Sequence, residues 1–364
     1  MTLALDHYRL LGRSGLRVSP IALGTMTFGT DWGWGTEEAD ARRIFDAYAD
    51  RGGNFIDSAN RYTEGTSERF VGSFAKGRRD SLVIATKYTL PMRPGDPNSG
   101  GNHRKSMIRS VEDSLTRLKT DYIDLLYLHA WDFTTPVDEV LRGLDDLVRS
   151  GKVLYAGVSD IPAWQVSRMQ AIADLRGWSP LVALQVEYSL IERTAERDLA
   201  PMAVEMGLGV IPWSPLASGV LAGKYSKADL GRLPQGSAAE GTRRDVAAGN
   251  GSLTERGLAI ADVVKAIAGE TGRTPSQIAL AWTLLNPAVT APLVGARTLA
   301  QLDENLGAFD VVLDESQRHR LDEASRIDLG FPHEFLARPM TQAIMTGGLS
   351  IDRRARWVNH QAVR

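Results

Sequence analysis

Three short apolar runs decide how this chain reads: Asn-Phe-Ile-Asp (54–57), Leu-Val-Ile-Ala-Thr-Lys (82–87) and Asp-Leu-Leu-Tyr-Leu-His (124–129). Each has the length and apolar density of a buried strand. Each ends on an ionisable group, Asp57, Lys87 or His129. Charged groups are not normally set at the edge of a buried sheet without partners. Three in succession predict strands that point into one mouth, the layout of a catalytic site on a parallel barrel. Tyr62, five residues beyond Asp57, brings a fourth polar group within reach.

Working outward, apolar strand-like runs begin near residues 21, 54, 82, 123, 153, 181, 208 and 289. Segments of helical period separate most of them: Glu37 to Ala49, Ser106 to Leu118, Val137 to Val148, Trp164 to Leu175 and Pro275 to Leu285. In the first, Ala41, Ile44, Phe45 and Tyr48 share one face. Strands alternating with helices imply right-handed crossovers and a parallel sheet. Eight strands close a (β/α)8 TIM barrel, and the fold class predicted is α/β of that type. Residues 8–18 read as an N-terminal β-hairpin ahead of the repeat. The first seven strand starts lie 27–41 residues apart, and the eighth follows after 81. The excess holds Gly223 to Gly257, rich in Gly, Ser and charge, and reads as a long loop after strand 7. A helical pattern near Ala259 to Ala268 follows it. No linker divides the chain, so one domain is expected over 1–364, with a barrel core at 8–326 and a C-terminal extension at 327–364. A doubly wound sheet is the rival architecture, but no Gly-x-Gly-x-x-Gly stands at a strand-to-helix turn.

Composition narrows the function classes. The 364 residues carry 42 Lys plus Arg against 44 Asp plus Glu, a net charge of -2, which gives no reason to expect nucleic acid as a partner. There is no cysteine, so disulfides, thiolate metal sites and cysteine nucleophiles are excluded. With six histidines, and only His129 expected at the mouth, no metal site is expected either. No basic segment followed by an apolar core opens the chain, and no apolar run reaches the roughly 20 residues that span a bilayer. A cytoplasmic location and no membrane contact are the expectations.

Asp57, Tyr62, Lys87 and His129 make chemical sense as a unit. A free tyrosine has a pKa near ~10, and a neighbouring ammonium lowers it. Lys87 supplies the ammonium, and Asp57 keeps it charged and in place. His129 is expected to hydrogen-bond the same hydroxyl or a substrate oxygen. Such a hydroxyl can protonate an oxygen on which negative charge grows as hydride reaches a carbonyl carbon. Singly, each residue has a plainer reading: a helix cap for Asp57, a solvated loop lysine, a core histidine, a packed tyrosine. Their common place at the ends of consecutive strands argues for the set.

Longer stretches strengthen that argument. Asn-Phe-Ile-Asp-Ser-Ala-Asn-Arg-Tyr-Thr-Glu-Gly-Thr-Ser-Glu (54–68), Val-Ile-Ala-Thr-Lys (83–87) and Asp-Tyr-Ile-Asp-Leu-Leu-Tyr-Leu-His (121–129) form one group. Gly-Lys-Val-Leu-Tyr-Ala-Gly-Val-Ser (151–159) and Leu-Gln-Val-Glu-Tyr-Ser-Leu-Ile-Glu-Arg (184–193) follow. Pro-Trp-Ser-Pro-Leu-Ala-Ser-Gly-Val-Leu-Ala-Gly-Lys-Tyr (212–225) and Val-Gly-Ala-Arg-Thr-Leu-Ala-Gln-Leu-Asp-Glu-Asn-Leu (294–306) complete the series. In this order and spacing the chain resembles the aldo-keto reductase family, nearest its aryl-alcohol-dehydrogenase-like bacterial branch. The resemblance implies a barrel that uses NADP(H) without a Rossmann fold, with Tyr62 as proton donor in a tetrad with Asp57, Lys87 and His129. It implies that Ser159, Asp160 and Gln185 hold the nicotinamide carboxamide and that Trp213 stacks on the ring. It implies that Gly295, Arg297, Gln301, Glu304 and Asn305 grip the adenosine phosphate. Gly24 and Thr25 complete the expected cofactor contacts, together with Ser214, Pro215, Leu216, Gly219, Leu221 and Lys224.

Some of these roles have independent physical support. Trp213 ends the seventh strand and offers a flat face to a ring; core packing is the competing reading. Arg297 lies near a helix start, where a phosphate is favoured. Residues 215–223 are expected to wrap a pyrophosphate through backbone N–H groups, unless they form a plain flexible loop. Two positions depart from the family pattern. Asp160 replaces the usual Asn, and an ionised Asp can only accept hydrogen bonds. Thr63 replaces the usual Gly after the tyrosine, a change expected to alter loop shape.

Trp32, Trp34, Tyr88 and Trp131 are expected to ring the substrate mouth, with the loop 91–101, and to suit a small apolar or aromatic carbonyl substrate. Residues 331–348 are expected to fold over the pocket. Arg353 to Arg364 reads as a solvated tail or an oligomer contact. Two rival functions are a Schiff-base aldolase through Lys87, disfavoured because Asp57 would raise the lysine pKa, and a non-enzymatic nucleotide-binding regulatory subunit.

Overall fold

The computed structural model describes residues 3–231 and 243–351. Two short antiparallel strands come first, β1 (Arg9–Leu10) and β2 (Arg17–Val18). Eight parallel strands follow: β3 (Ala22–Gly24), β4 (Phe55–Asp57), β5 (Val83–Tyr88), β6 (Ile123–Leu128), β7 (Val153–Ser159), β8 (Leu181–Glu187), β9 (Gly209–Trp213) and β10 (Leu293–Val294). They pair in the order β10-β3-β4-β5-β6-β7-β8-β9. The ring closes just ahead of β10. There Val210 N–H donates to Ala288 O (3.2 Å) and Thr290 N–H donates to Val210 O (2.8 Å). The eighth strand thus pairs with β9 at 288–290 and passes to β3 at 293–294. This is the expected (β/α)8 barrel.

Its helices in chain order are α1 (Glu38–Asp50), α2 (Thr66–Phe74), α3 (Arg104–Leu118), α4 (Val137–Arg149), α5 (Ala163–Arg176), α6 (Leu199–Met206), α7 (Arg243–Gly249), α8 (Glu255–Thr271), α9 (Pro275–Leu285), α10 (Leu299–Leu306), α11 (Glu315–Ser325), α12 (His333–Ala337) and α13 (Pro339–Thr346). Helices foreseen from periodicity agree with α1, α3, α4, α5 and α9 to within two residues at each end.

The pleat explains both the apolar runs and the site. Phe55, Val83, Ala85, Leu125, Tyr127, Ala183 and Ile211 point inward, where Leu11 and Val18 of the hairpin join them. Ile56, Ile84, Leu126 and Leu184 point outward onto Ile44, Phe45, Val111 and Leu144 of the helix layer. Both faces are buried, so the strands read as continuous apolar runs. Side chains repeat every two residues. Asp57 follows Phe55 inward, Lys87 follows Ala85, His129 follows Tyr127, Gln185 follows Ala183 and Trp213 follows Ile211. All five therefore emerge on the barrel axis at the C-terminal mouth.

The hairpin plugs the opposite end. Arg9 donates to the carbonyls of Val289 (3.1 Å) and Thr290 (3.0 Å), and Arg13 N–H donates to Gly207 O (2.7 Å). Gly12, at φ +54°, lies so close to the barrel floor that a Cβ would meet Val182 O at 2.4 Å and Gly207 O at 2.5 Å. Backbone on both sides leaves no side chain to give way. Gly12→Ala is therefore expected to cost about 2–4 kcal/mol, read as a lower urea midpoint; an unchanged midpoint would contradict the plug.

Two expectations need correction. The stretch 223–257 is more than loop: it holds α7 and the start of α8, although residues 232–242 lie outside the described residues. Helix α7 spans seven residues, too few for a periodic pattern to stand out, and buries Ala247. Residues 331–348 form α12 and α13 but do not cover the cavity described below. His333 Nε2 meets Asp198 Oδ1 at 3.1 Å on the segment after β8, and just ahead of α12 Arg197 donates to Asp328 O at 2.7 Å. The tail Arg353 to Arg364 lies outside the described residues. No helix among the described residues is long and apolar enough to cross a membrane.

Candidate active site

At the mouth, Lys87 Nζ donates three hydrogen bonds: to Asp57 Oδ2 at 2.6 Å, to Ser58 O at 2.8 Å and to Tyr62 Oη at 3.2 Å. Its three protons are thereby all directed. Gln185 Nε2 donates to the other Asp57 oxygen at 2.9 Å. The Lys87 and Asp57 side chains are sealed from solvent. Tyr62 and His129 meet edge to face, ring centroids 5.9 Å apart at 81°. The structure thus brings all four expected residues together.

Their electrostatics differ from expectation at one point. Burial raises the Tyr62 pKa above the ordinary phenol value, and the opposing pull of Lys87 does not overcome it. The hydroxyl is therefore held protonated, the form a proton donor needs. Burial opposes the Lys87 charge, but Asp57 and Tyr62 outweigh it and raise the lysine above its ordinary value. Burial likewise pushes Asp57 up, against Lys87 and Gln185. His129 is pushed down to about 3, by burial first and by the Lys87 charge second. Its imidazole is neutral near neutral pH. It can share a proton with a substrate oxygen without adding charge.

Tyr62 is delivered by a strained turn. Thr63 (φ 44°, ψ 49°) and Glu64 (φ 53°, ψ 35°) are both left-handed, which is rare for a β-branched residue. Thr63 Oγ1 offsets the strain by donating to Phe28 O (2.6 Å) and accepting from Ser67 N–H (3.1 Å). Thr63 thus ties the tyrosine turn to the segment after β3.

A cavity of about 910 Å³ opens above these groups. Asp57, Tyr62 and His129 line its floor, with Gly24, Ser159, Asp160, Gln185 and Trp213 beside them. Ser159 Oγ is buried in this wall without a well-formed hydrogen bond. Asp160, at φ 45°, accepts from Trp213 Nε1 at 3.0 Å. Ser214, Pro215, Leu216, Gly219 and Lys224 continue the wall. Gly295, Arg297, Gln301, Glu304 and Asn305 form its far end. There Thr298 caps α10 by accepting from Gln301 N–H, and Gln301 Oε1 accepts from Arg297 N–H at 2.9 Å.

Several expected contacts fall elsewhere. Thr25 is fully buried below the cavity, where its N–H and Oγ1 both donate to Asp57 O at 2.9 Å. It braces β4 instead. Leu221 is wholly within the core. Backbone wrapping by 215–223 is limited. The amides of Gly219 to Gly223 and of Ala217 donate to carbonyls inside the loop, and that of Ser218 donates to Ser214 Oγ. Tyr88 follows Lys87 by one residue, so the pleat turns it outward; it is buried with its hydroxyl on Asn102 O. Trp131 is buried in the helix layer. Trp34 packs on Trp32, centroids 5.6 Å apart, and only Trp32 reaches the cavity.

Other wall residues escaped the sequence reading. Met26, Arg61 and Leu90 line the tetrad end of the cavity. Arg61 pairs with Glu64, which accepts from Trp32 Nε1 at 3.1 Å. Its position beside Tyr62 was the available signal. Val246 and Asn250 reach the wall from α7 and its end, and Asn250 donates to Ser218 Oγ at 3.1 Å.

The model of the Aldo/keto reductase family matches residues 20–326. Norsolorinic acid reductase of Aspergillus flavus is 39% identical over 359 residues, covering 96% of this chain and 88% of that protein. Aryl-alcohol dehydrogenase [NADP(+)] of Phanerodontia chrysosporium is 37% identical over 342 residues, covering 90% and 88%. The oxidoreductase YrpG of Bacillus subtilis is 40% identical over 329 residues, covering 87% and 95%. Similar proteins thus occur in fungi as well as in bacteria. A match over the whole barrel, with a tyrosine, lysine, aspartate and histidine converging at its mouth, gives one conclusion: the chain belongs to the aldo/keto reductase family of oxidoreductases.

Proposed function

We propose that this protein is an NADP(H)-dependent reductase of aldehydes or ketones, reversible as an alcohol dehydrogenase, with Tyr62 as general acid. The observation that carries the reading is Lys87 Nζ bridging Asp57 Oδ2 and Tyr62 Oη beneath the cavity that Asp57, Tyr62 and His129 line. NADPH, when bound, supplies the hydride. The chain's own residues handle the proton and the position of the carbonyl. Tyr62 donates the proton to the oxygen that gains negative charge, and Lys87 stabilises the phenolate left behind. Asp57 and Gln185 fix the lysine through two hydrogen bonds on the carboxylate. Neutral His129 orients the carbonyl oxygen.

The residues present fit the cofactor. Ser159 Oγ and the remaining amide atoms of Gln185 suit a carboxamide, and Trp213 offers a ring face. Arg297 and Lys224 are the cations toward the far end, where a phosphate would sit. The raised Lys87 pKa speaks against the aldolase reading, because a Schiff base forms from the neutral amine. Trp32, Met26 and Leu90 give the tetrad end an apolar wall, suited to an aromatic or aliphatic carbonyl. The name of the Phanerodontia relative includes both an aryl alcohol and NADP(+).

A panel of aromatic and aliphatic carbonyls, assayed by loss of NADPH absorbance, tests the reading; no turnover together with no NADPH binding would sink it. Arg297→Ala is expected to weaken NADPH by about tenfold or more, the scale of a lost charge-assisted contact. NADH, lacking the extra phosphate, should change far less. Equal losses in titrations of the two would remove Arg297 from the phosphate site.

A further inference from the structure

Asp160 brings a negative charge to the wall that stands over the tetrad. It follows β7 with Ser159 at its back, and its carboxylate lies open to the cavity. Its φ of 45° is tolerated better by Asp or Asn than by most other side chains. One oxygen accepts from Trp213 Nε1 at 3.0 Å, so the carboxylate sits at the edge of the indole. Glu187 lies opposite Trp213 in the β8–β9 register. Burial first, and then the charges of Glu192 and Asp160, raise its pKa to about 7. The nearby cation, Lys87, is bound to Asp57, and Asp160 has no salt bridge among the described residues. Burial pushes Asp160 up, and the Trp213 N–H, the Lys87 charge and Ser159 oppose it, so its carboxylate is the group at the indole edge whose charge the ring site meets.

We propose that Asp160 selects the oxidised nicotinamide, using its charge on the ring site while its hydrogen bond holds the Trp213 plane. This rests on the reading of the cavity as a nicotinamide dinucleotide site. The oxidised ring is cationic and the reduced ring is neutral, so a carboxylate at the edge of the stacking residue favours the former. Whatever stabilises the oxidised state on the protein pulls the bound equilibrium toward it. Asp160 thereby poises the site for carbonyl reduction over alcohol oxidation. It is a positioning residue for Trp213 and an electrostatic one for the ring.

Asp160→Asn isolates the charge. Asparagine keeps an oxygen to accept from Trp213 and also tolerates the left-handed backbone. Fluorescence titrations with NADP+ and with NADPH should show the ratio of the NADP+ Kd to the NADPH Kd rising by about tenfold in this variant, the scale of one charge contact in a partly solvated cleft. Trp213→Phe removes the N–H and keeps the charge; it should weaken both forms and leave the ratio nearly unchanged. An unchanged ratio in Asp160→Asn, with both forms still bound, overturns the selection by charge and leaves the cofactor reading intact. Failure of the wild-type protein to bind either form overturns both.

Discussion

Tyr62→Phe should lower carbonyl turnover by about 10³-fold, within the range for losing a general acid, while NADPH binding stays within about twofold. The substitution deletes one oxygen atom. That atom accepts from Lys87 Nζ at 3.2 Å and belongs to a residue that lines the cavity. Burial holds Tyr62 protonated in the resting site. Lys87 acts at the other end of the transfer, where it stabilises the phenolate. The ring of phenylalanine keeps the edge contact with His129, so the wall retains its shape. Separate measurement of kcat and of NADPH Kd checks this. Turnover within tenfold of wild type would remove Tyr62 from the proton path and direct attention to His129.

Lys87→Met should abolish turnover and also destabilise the fold. The Lys87–Asp57 pair is sealed from solvent, and removing one partner leaves a buried carboxylate held by Gln185 alone. Breaking such a pair typically costs about 3–5 kcal/mol. The loss should appear as a lower urea midpoint at unchanged slope. The double variant Asp57→Asn with Lys87→Met replaces both charges by neutral groups of similar size, and it should recover most of the stability. It should recover none of the activity, because Tyr62 still lacks the cation that stabilises its phenolate. A single variant as stable as the wild type would mean that water reaches Asp57. A double variant that regains turnover would contradict the role of Lys87.

Much of the site was legible because the pleat is local. Phe55 and Asp57, Ala85 and Lys87, Tyr127 and His129 each stand two apart, and each polar group continues an inward-facing row. The same parity turns Tyr88 outward, and counting by twos from Lys87 would have removed it from the substrate wall. Trp131 and Leu221 lie beyond strand ends, where the backbone leaves the pleat and parity no longer applies. Helix α7 was illegible for another reason. Its seven residues hold few apolar positions, and its stability comes from packing, as Ala247 shows.

From the sequence alone come the eight-strand barrel, the residues at its mouth and the absence of a Gly-rich dinucleotide turn. These follow from periodicity and chain order, which act over a few residues. Tertiary structure decided which groups touch. Gln185 reaches Asp57 across 128 residues, and Thr25 is taken up as a brace under β4. Trp213 meets Asp160 across 53 residues. Tertiary structure also reversed the direction expected for Tyr62, because a pKa sums burial and every nearby charge, and both are set only when the barrel closes.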